Sequence, residues 1–160
     1  MSHIYEARQS AEHSKRASAA GVLLGIGLGG FVDGIVLHQI LQWHNMMSNW
    51  VPPVTMDAMS YNMSWDGLFH AAVWLVTLVG VFLLWSAAYR RATIPSLAAF
   101  IGQLFLGWGL FNLVEGIIDH QLLGMHFVRQ VPNYQTYNLT FLAVGGVLLI
   151  VLGWLLIRRG

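Results

Sequence analysis

Four long apolar segments, separated by shorter polar ones, dominate the pattern of the chain. They cover residues 19–41, 68–88, 97–122 and 139–157. Each is near or above the roughly 20 residues that a helix needs to cross the apolar core of a bilayer. The pattern therefore predicts an all-α integral membrane protein with a four-helix transmembrane bundle. We expect residues 1–18 to form a polar cytoplasmic tail and residues 19–160 to form the membrane domain.

Composition supports this prediction and excludes several classes of protein. Of the 160 residues, 56% are hydrophobic and 9% are charged, whereas soluble domains have about 25% charged residues. The net charge of +1 and the absence of a basic stripe argue against nucleic acid as a partner. Because the chain has no cysteine, it can form no disulfide, thiolate zinc site, iron–sulfur cluster or covalently attached haem.

The basic residues predict the orientation. If the chain crosses the membrane four times, seven of its eight Lys and Arg residues fall on one side and only Arg129 falls on the other. An excess of Lys and Arg marks the cytoplasmic side. Both termini are therefore expected in the cytoplasm.

An internal repeat connects the first and third apolar segments. Residues 30–44 and 112–126 are identical at seven of fifteen aligned positions, and Asp33 aligns with Glu115. The identical polar pairs are His38/His120, Gln39/Gln121 and His44/His126. Both segments end an odd-numbered span and so point the same way. We expect two repeated helical hairpins, at about 19–91 and 97–159, related by a pseudo-twofold axis along the membrane normal.

Histidines and acids gather at the predicted outer helix ends, which suggests a metal site. An ionisable residue within a span costs about 3 kcal/mol and indicates function. The candidate ligands are His38, His44, Asp66, His70, Glu115, Asp119, His120 and His126. Asp33, Gln39 and Gln121 are candidates for orienting the ligands or relaying protons. His38, His70 and His120 are expected to converge, in a lopsided site because residues 134–140 contain neither His nor acid.

The spacing of Asp33 and His38 sets a geometric condition. Five residues apart on a regular α-helix, the two side chains point roughly 140° apart. They can face one ion only if the helix is unwound or forms a π-bulge, which the neighbouring glycines would permit.

Methionines favour copper as the ion, with iron and zinc as alternatives. Five of them lie in the stretch predicted as the first outer loop: Met46, Met47, Met56, Met59 and Met63. Thioether and imidazole groups suit copper, whereas carboxylates suit harder ions. The methionines are therefore candidates for copper entry, although they could equally fill gaps at the helix ends.

The motifs GFVDGIVLHQILQWH, WDGLFH and NLVEGIIDHQLLGMH resemble the bacterial membrane-protein family known as domain of unknown function 2243. The resemblance extends over nearly the whole chain after the tail. It implies a multi-pass protein of the bacterial inner (plasma) membrane, and it implies no particular ligand set.

Several functions fit these observations. The favoured one is a metal-binding membrane protein in copper handling or membrane redox chemistry, and whether it is an enzyme stays open. A b-type haem protein with His38 and His120 as axial ligands is an alternative. So is a subunit of a proton-coupled transporter or channel, with Asp33 and Glu115 as relay groups. The last alternative is a structural subunit of a larger respiratory assembly, and the sequence is compatible with a homo-oligomer or a larger membrane complex.

Overall fold

The computed structural model describes residues 2–91 and 93–160, with side chains from residue 14 onward, and every regular element in these ranges is helical. The α-helices are α1 (Ser2–Val32), α2 (Met56–Tyr89), α3 (Leu97–Glu115), α4 (Tyr134–Thr140) and α5 (Leu149–Arg159). Three π-helical segments continue α1, α3 and α4: Asp33–Ile40, Gly116–Leu122 and Phe141–Leu148.

These elements form four helices that are long and apolar enough to cross a membrane. They are span 1 (Ser14–Ile40), span 2 (Met56–Tyr89), span 3 (Leu97–Leu122) and span 4 (Tyr134–Arg159). The predicted fold class, an all-α membrane protein with four spans, is confirmed. Span 1 continues without a break from the helix that contains residues 2–13.

Span 2 begins well before the predicted residue 68. Thr55 caps the helix by accepting a hydrogen bond from the Ala58 backbone N–H at 3.2 Å, and no proline follows Pro53 within the helix. As a result, Met56, Met59 and Met63 lie on the first turns of α2 and not in the loop. The first connection is shortened to residues 41–55.

Spans 1 and 3 pack closely at the centre of the bundle. A Cβ atom added to Gly25 would collide with the Leu104 carbonyl, and one added to Gly107 would collide with the Val22 carbonyl. Such close approach of backbones favours helix association in lipid, where dispersion forces replace the hydrophobic effect. Span 2 packs on span 1, and span 4 packs on span 3. The two central spans thereby hold the ends of their π-helical segments next to each other.

Candidate metal centre

The π-helical segments bring a carboxylate and a histidine five residues apart to the same side of each central span. The Leu41 backbone N–H donates to the Val36 carbonyl at 2.8 Å, and that of Leu123 donates to Ile118 at 2.8 Å. Each of these bonds joins residues five apart, so the hydrogen-bonded turn contains one residue more than a turn of α-helix. This is the distortion that Asp33 and His38 required, and such segments occur often at functional sites.

Four buried imidazoles form the core of the site. His44 and His126 stack with ring centroids 4.5 Å apart and an interplanar angle of 7°. The ring of His38 lies 4.4 Å from that of His44, and the ring of His120 lies 4.7 Å from that of His126. All four side chains are at most 3% exposed. We call these four residues together with Asp33 and Glu115 the His/carboxylate cluster.

A fixed hydrogen bond holds one ring nitrogen in three of the four imidazoles. His38 Nδ1–H donates to Asp66 Oδ1 at 3.0 Å. His44 Nδ1–H donates to the Val128 carbonyl at 2.9 Å, and His126 Nδ1–H donates to the Met46 carbonyl at 3.0 Å. Because Nδ1 of each of these rings donates, Nε2 is the nitrogen whose lone pair is available to a metal ion when the ring is neutral.

The free atoms face the carboxylates of Asp33 and Glu115. Asp33 Oδ2 lies 3.0 Å from His38 Nε2, and Glu115 Oε1 lies 3.6 Å from His120 Nε2 and 3.5 Å from His126 Nε2. Despite these short distances, the atoms do not meet hydrogen-bond geometry. The following buried atoms have no hydrogen-bond partner among the described residues: both carboxylate oxygens of Asp33 and of Glu115, Nε2 of His38, His44 and His126, and both ring nitrogens of His120.

This arrangement can accept a metal ion. The donor atoms of His38, His44 and His126 all lie within 4.8 Å of one another, as do those of Glu115, His120 and His126. Ligand bonds of about 2.0–2.2 Å that meet at right or tetrahedral angles separate neighbouring donor atoms by roughly 2.8–3.6 Å. The carboxylate–imidazole distances in the cluster fall within this range.

Burial keeps His44 in the form that binds metals. Removal from water lowers the pKa of His44 well below its ordinary value, and the neighbouring His126 and His38 lower it further. Metal ligation needs the neutral imidazole. His44 is therefore ready to coordinate without first losing a proton.

Asp66 and Asp33 lie in positions different from those expected from the sequence. Asp66 does not face the cluster centre: it accepts from His38, from the Met46 backbone N–H at 2.8 Å and from the Asn45 side chain at 2.7 Å. Asp33, which was expected to orient the ligands, instead presents its free oxygens to His38 Nε2. The π-helical turn causes this difference, since it rotates Asp33 to the side of His38.

The structure leaves His70 and Asp119 outside the cluster. His70 Nδ1–H donates to the Asp66 backbone carbonyl at 2.7 Å, and its Nε2 lies against Gly34, where an added Cβ would approach it to 2.5 Å. Asp119 is half-buried and lines a separate cavity with Glu115. The expected convergence of His38, His70 and His120 is therefore not seen for His70.

The two glutamines and the three methionines of α2 lie at the surface. Gln121 accepts from the Gln135 side chain at 3.3 Å on the surface, and Gln39 is exposed. Met56, Met59 and Met63 are exposed on α2, whereas Met47 is buried. None of the five methionines lines the cavity of about 730 Å³ that lies between the two connections and reaches His44.

Asn138 is the site residue that the sequence analysis missed. It is fully buried, and its Oδ1 accepts a hydrogen bond from the Val128 backbone N–H at 3.0 Å. Val128 lies two residues after His126. In the same way Met46, whose backbone N–H donates to Asp66, lies two residues after His44. The sequence gives one signal for it, its place in the stretch 134–140, which contains neither His nor acid.

Comparison with known proteins gives the family. The family model described as "Predicted membrane protein (DUF2243)" matches residues 20–160. The chain belongs to this family. No curated protein and no solved structure matches it. The membership agrees with the four spans and leaves the function to be argued from the His/carboxylate cluster.

Proposed function

We propose that the chain is a metal-binding integral membrane protein whose ion is held by the His/carboxylate cluster. One observation carries this proposal: the cluster turns unpartnered lone pairs inward while hydrogen bonds hold the outer Nδ1 atoms of three of its rings. Metal-ligating histidines in proteins commonly have this arrangement, with the second nitrogen donating to a carboxylate or a backbone carbonyl.

The energetics favour an ion over a packing role. A buried polar group without a partner costs about 1–3 kcal/mol, and charged groups cost more. The cluster contains two carboxylates and four imidazoles in this condition. A cation bound among them would satisfy the free lone pairs together and neutralise the carboxylates.

Copper is the proposed ion. Imidazole is a good ligand for copper, and among the divalent first-row metals affinity peaks at Cu²⁺. The methionines near the same end of the bundle add soft sulfur groups that would retain Cu(I) before it reaches the cluster. The protein would then act in copper handling or in membrane redox chemistry.

Iron is the second candidate, and the carboxylates favour it. The segment after α1 contributes Asp33 and His38, followed by His44, and the segment after α3 contributes Glu115 and His120, followed by His126. Each set has two imidazoles and one carboxylate, a donor set typical of non-haem iron.

Haem fits the cluster less well than a metal ion. His38 and His120 were the expected axial ligands, yet the ring centroids of His44 and His126 lie within 6.2 Å of both of them. These rings occupy the space that a porphyrin would need. A proton-coupled transporter or channel subunit is the remaining alternative, and metal analysis separates it from a metal centre.

We further propose that the cluster faces the outside of the bacterial inner membrane. Arg90 and Arg91, between spans 2 and 3, and Arg158 and Arg159, in the last turn of span 4, lie at the end opposite to the cluster. Positive residues mark the cytoplasmic side. We also propose that the two halves of the chain derive from a repeated hairpin. Asp33, His38 and His44 in the first half then correspond to Glu115, His120 and His126 in the second.

Elemental analysis of purified protein tests the proposal. Protein from cells grown with added copper is expected to contain copper in a fixed ratio to the chain, and His126→Ala is expected to lower that ratio several-fold, because His126 belongs to both groups of neighbouring donor atoms. His70→Ala is the matched control, because His70 lies outside the cluster. It is expected to keep the wild-type ratio.

The outcomes separate the candidates. Iron or zinc in place of copper would overturn the choice of metal and retain the site. No ion in the wild-type protein, or equal loss in both variants, would overturn the metal centre itself.

A further inference from the structure

The donor atoms of the His/carboxylate cluster form two groups. Those of His38, His44 and His126 lie within 4.8 Å of one another, and so do those of Glu115, His120 and His126. Among the described residues, Glu115 and His120 belong to the second group alone. All ligands of one ion lie within about 4.4 Å of one another, because each bond is about 2.0–2.2 Å long. One ion therefore cannot bind all the donors of the cluster in these positions.

The carboxylate of Glu115 defines one set of ligands. Its Oε1 lies 3.6 Å from His120 Nε2 and 3.5 Å from His126 Nε2, which are separations of neighbouring ligands on one ion. His126 Nδ1–H donates to the Met46 carbonyl, so this ring has only the lone pair of Nε2 to offer, and it can serve only one ion. We assign His126 to the ion that Glu115 and His120 bind.

Asp33, His38 and His44 remain as a second set of the same composition. The rings of His38 and His44 have centroids 4.4 Å apart, and Asp33 Oδ2 lies 3.0 Å from His38 Nε2. Both oxygens of Asp33 are buried and have no hydrogen-bond partner among the described residues. An ion in the other set alone would leave these lone pairs unsatisfied, at a cost in free energy. The second set therefore needs a cation of its own.

We propose that the cluster holds two metal ions side by side, each bound by one carboxylate and two imidazoles. The ligands are Asp33, His38 and His44 for the first ion, and Glu115, His120 and His126 for the second. The rings of His44 and His126 are stacked and belong to different sets, which makes the two ions neighbours. The carboxylates supply one negative charge to each ion. This inference rests on the metal centre proposed above and adds the number of its ions and the ligands of each.

A copper titration counts the ions. The full chain in detergent, freed of metal with a chelator, is dialysed against buffered Cu²⁺, for which such donors have the highest affinity among the divalent first-row ions. His3 and His13 of the N-terminal tail are replaced by Ala in every preparation, because imidazoles outside the cluster also bind Cu²⁺. The expected ratio at saturation is two Cu²⁺ per chain.

Electron paramagnetic resonance shows whether the two ions are neighbours. At the spacing of about 3.5–4 Å that is usual for two-metal sites, the unpaired electrons of two Cu²⁺ ions interact. The signal of isolated Cu²⁺ is therefore expected to be split or lost in the saturated protein.

Variants assign the ligands. Glu115→Gln is expected to lower the ratio from two to one and to restore the signal of isolated Cu²⁺, because the remaining ion has no neighbour. Asp33→Asn is expected to have the same effect through loss of the other ion. Asp119→Asn is the matched control, since Asp119 lies in the same π-helical segment of span 3 as His120 and belongs to neither set. It is expected to keep two interacting ions.

The outcomes separate this inference from the metal centre itself. One Cu²⁺ per chain that His126→Ala removes would overturn the pair and retain the metal centre. Two Cu²⁺ per chain with the full signal of isolated ions would also overturn the pair, because the second ion would lie elsewhere. Two interacting ions in Glu115→Gln would overturn the assignment of the ligands. No bound Cu²⁺ would overturn both proposals.

Discussion

His44 and His126 each form a hydrogen bond to the inter-span connection that contains the other histidine. His44 donates to the carbonyl of Val128, and His126 donates to the carbonyl of Met46. Each acceptor is the residue two positions after the other histidine. The stacked rings therefore lie between the first connection (residues 41–55) and the second (residues 123–133), and their free Nε2 atoms are positioned by both.

The hydrogen bond from His38 to Asp66 should set the affinity of the metal centre. Asp66 carries a negative charge that orients the His38 ring and makes it a more basic ligand, and Asp66→Asn removes that charge. Loss of such a partner lowers metal affinity about 10- to 100-fold. Competition with a chelator of known affinity measures the change. Asp57→Asn is the control, because Asp57 is exposed on the first turn of α2 and should not alter the affinity. Equal effects of the two variants would show that Asp66 does not act through the cluster.

The methionines should affect how fast copper is loaded and not how much is held. Replacing Met56, Met59 and Met63 with Leu removes three exposed thioethers on α2 and leaves the His/carboxylate cluster intact. Stopped-flow loading with Cu(I) is expected to slow several-fold, while the final copper content stays the same. If the content at equilibrium falls, the thioethers themselves hold the ion.

The close approach of spans 1 and 3 should make Gly25 sensitive to any added atom. A methyl group there would meet the Leu104 backbone, and overpacking of this kind costs about 1–3 kcal/mol. Gly25→Ala is therefore expected to lower the melting temperature in detergent. Gly67→Ala is the matched control, since nothing lies within 4 Å of its added Cβ. A Gly25→Ala protein as stable as wild type would mean that the two backbones can separate without cost.

Reporter fusions test the orientation. A fusion after Gly160 is expected to be active with a reporter that works only in the cytoplasm, because the basic residues near that end favour the inside. A fusion in the second connection, after Gln130, should be active only with a reporter that works outside. Activity in the opposite sense at both positions would invert the chain and place the cluster on the cytoplasmic side.

The sequence predicted the four spans and most of the cluster because both depend on local pattern. Runs of apolar residues identify spans, and the aligned carboxylate, His and His positions identify related parts of a site. The roles of Asp33 and Asp66 could not be read in this way. They depend on the π-helical turn, which rotates one carboxylate toward His38 Nε2 and leaves the other for Nδ1.

The contacts of His70 could not be predicted for a related reason. On a regular helix, Asp66 and His70 share a face, and that spacing suggested a chelating pair. In the structure, His70 donates to the backbone carbonyl of Asp66 and packs against Gly34. Sequence spacing shows which residues share a face, but it does not show which neighbour already occupies that face.

The exchanged hydrogen bonds between the two connections have a consequence for biogenesis. Spans 1 and 2 leave the ribosome before spans 3 and 4, and at that stage His44 lacks the acceptor that it has in the folded protein, because Val128 has not yet been made. The first hairpin must therefore wait in the bilayer with its acidic and imidazole groups incomplete. The His/carboxylate cluster can therefore close only after the second hairpin has been inserted beside the first.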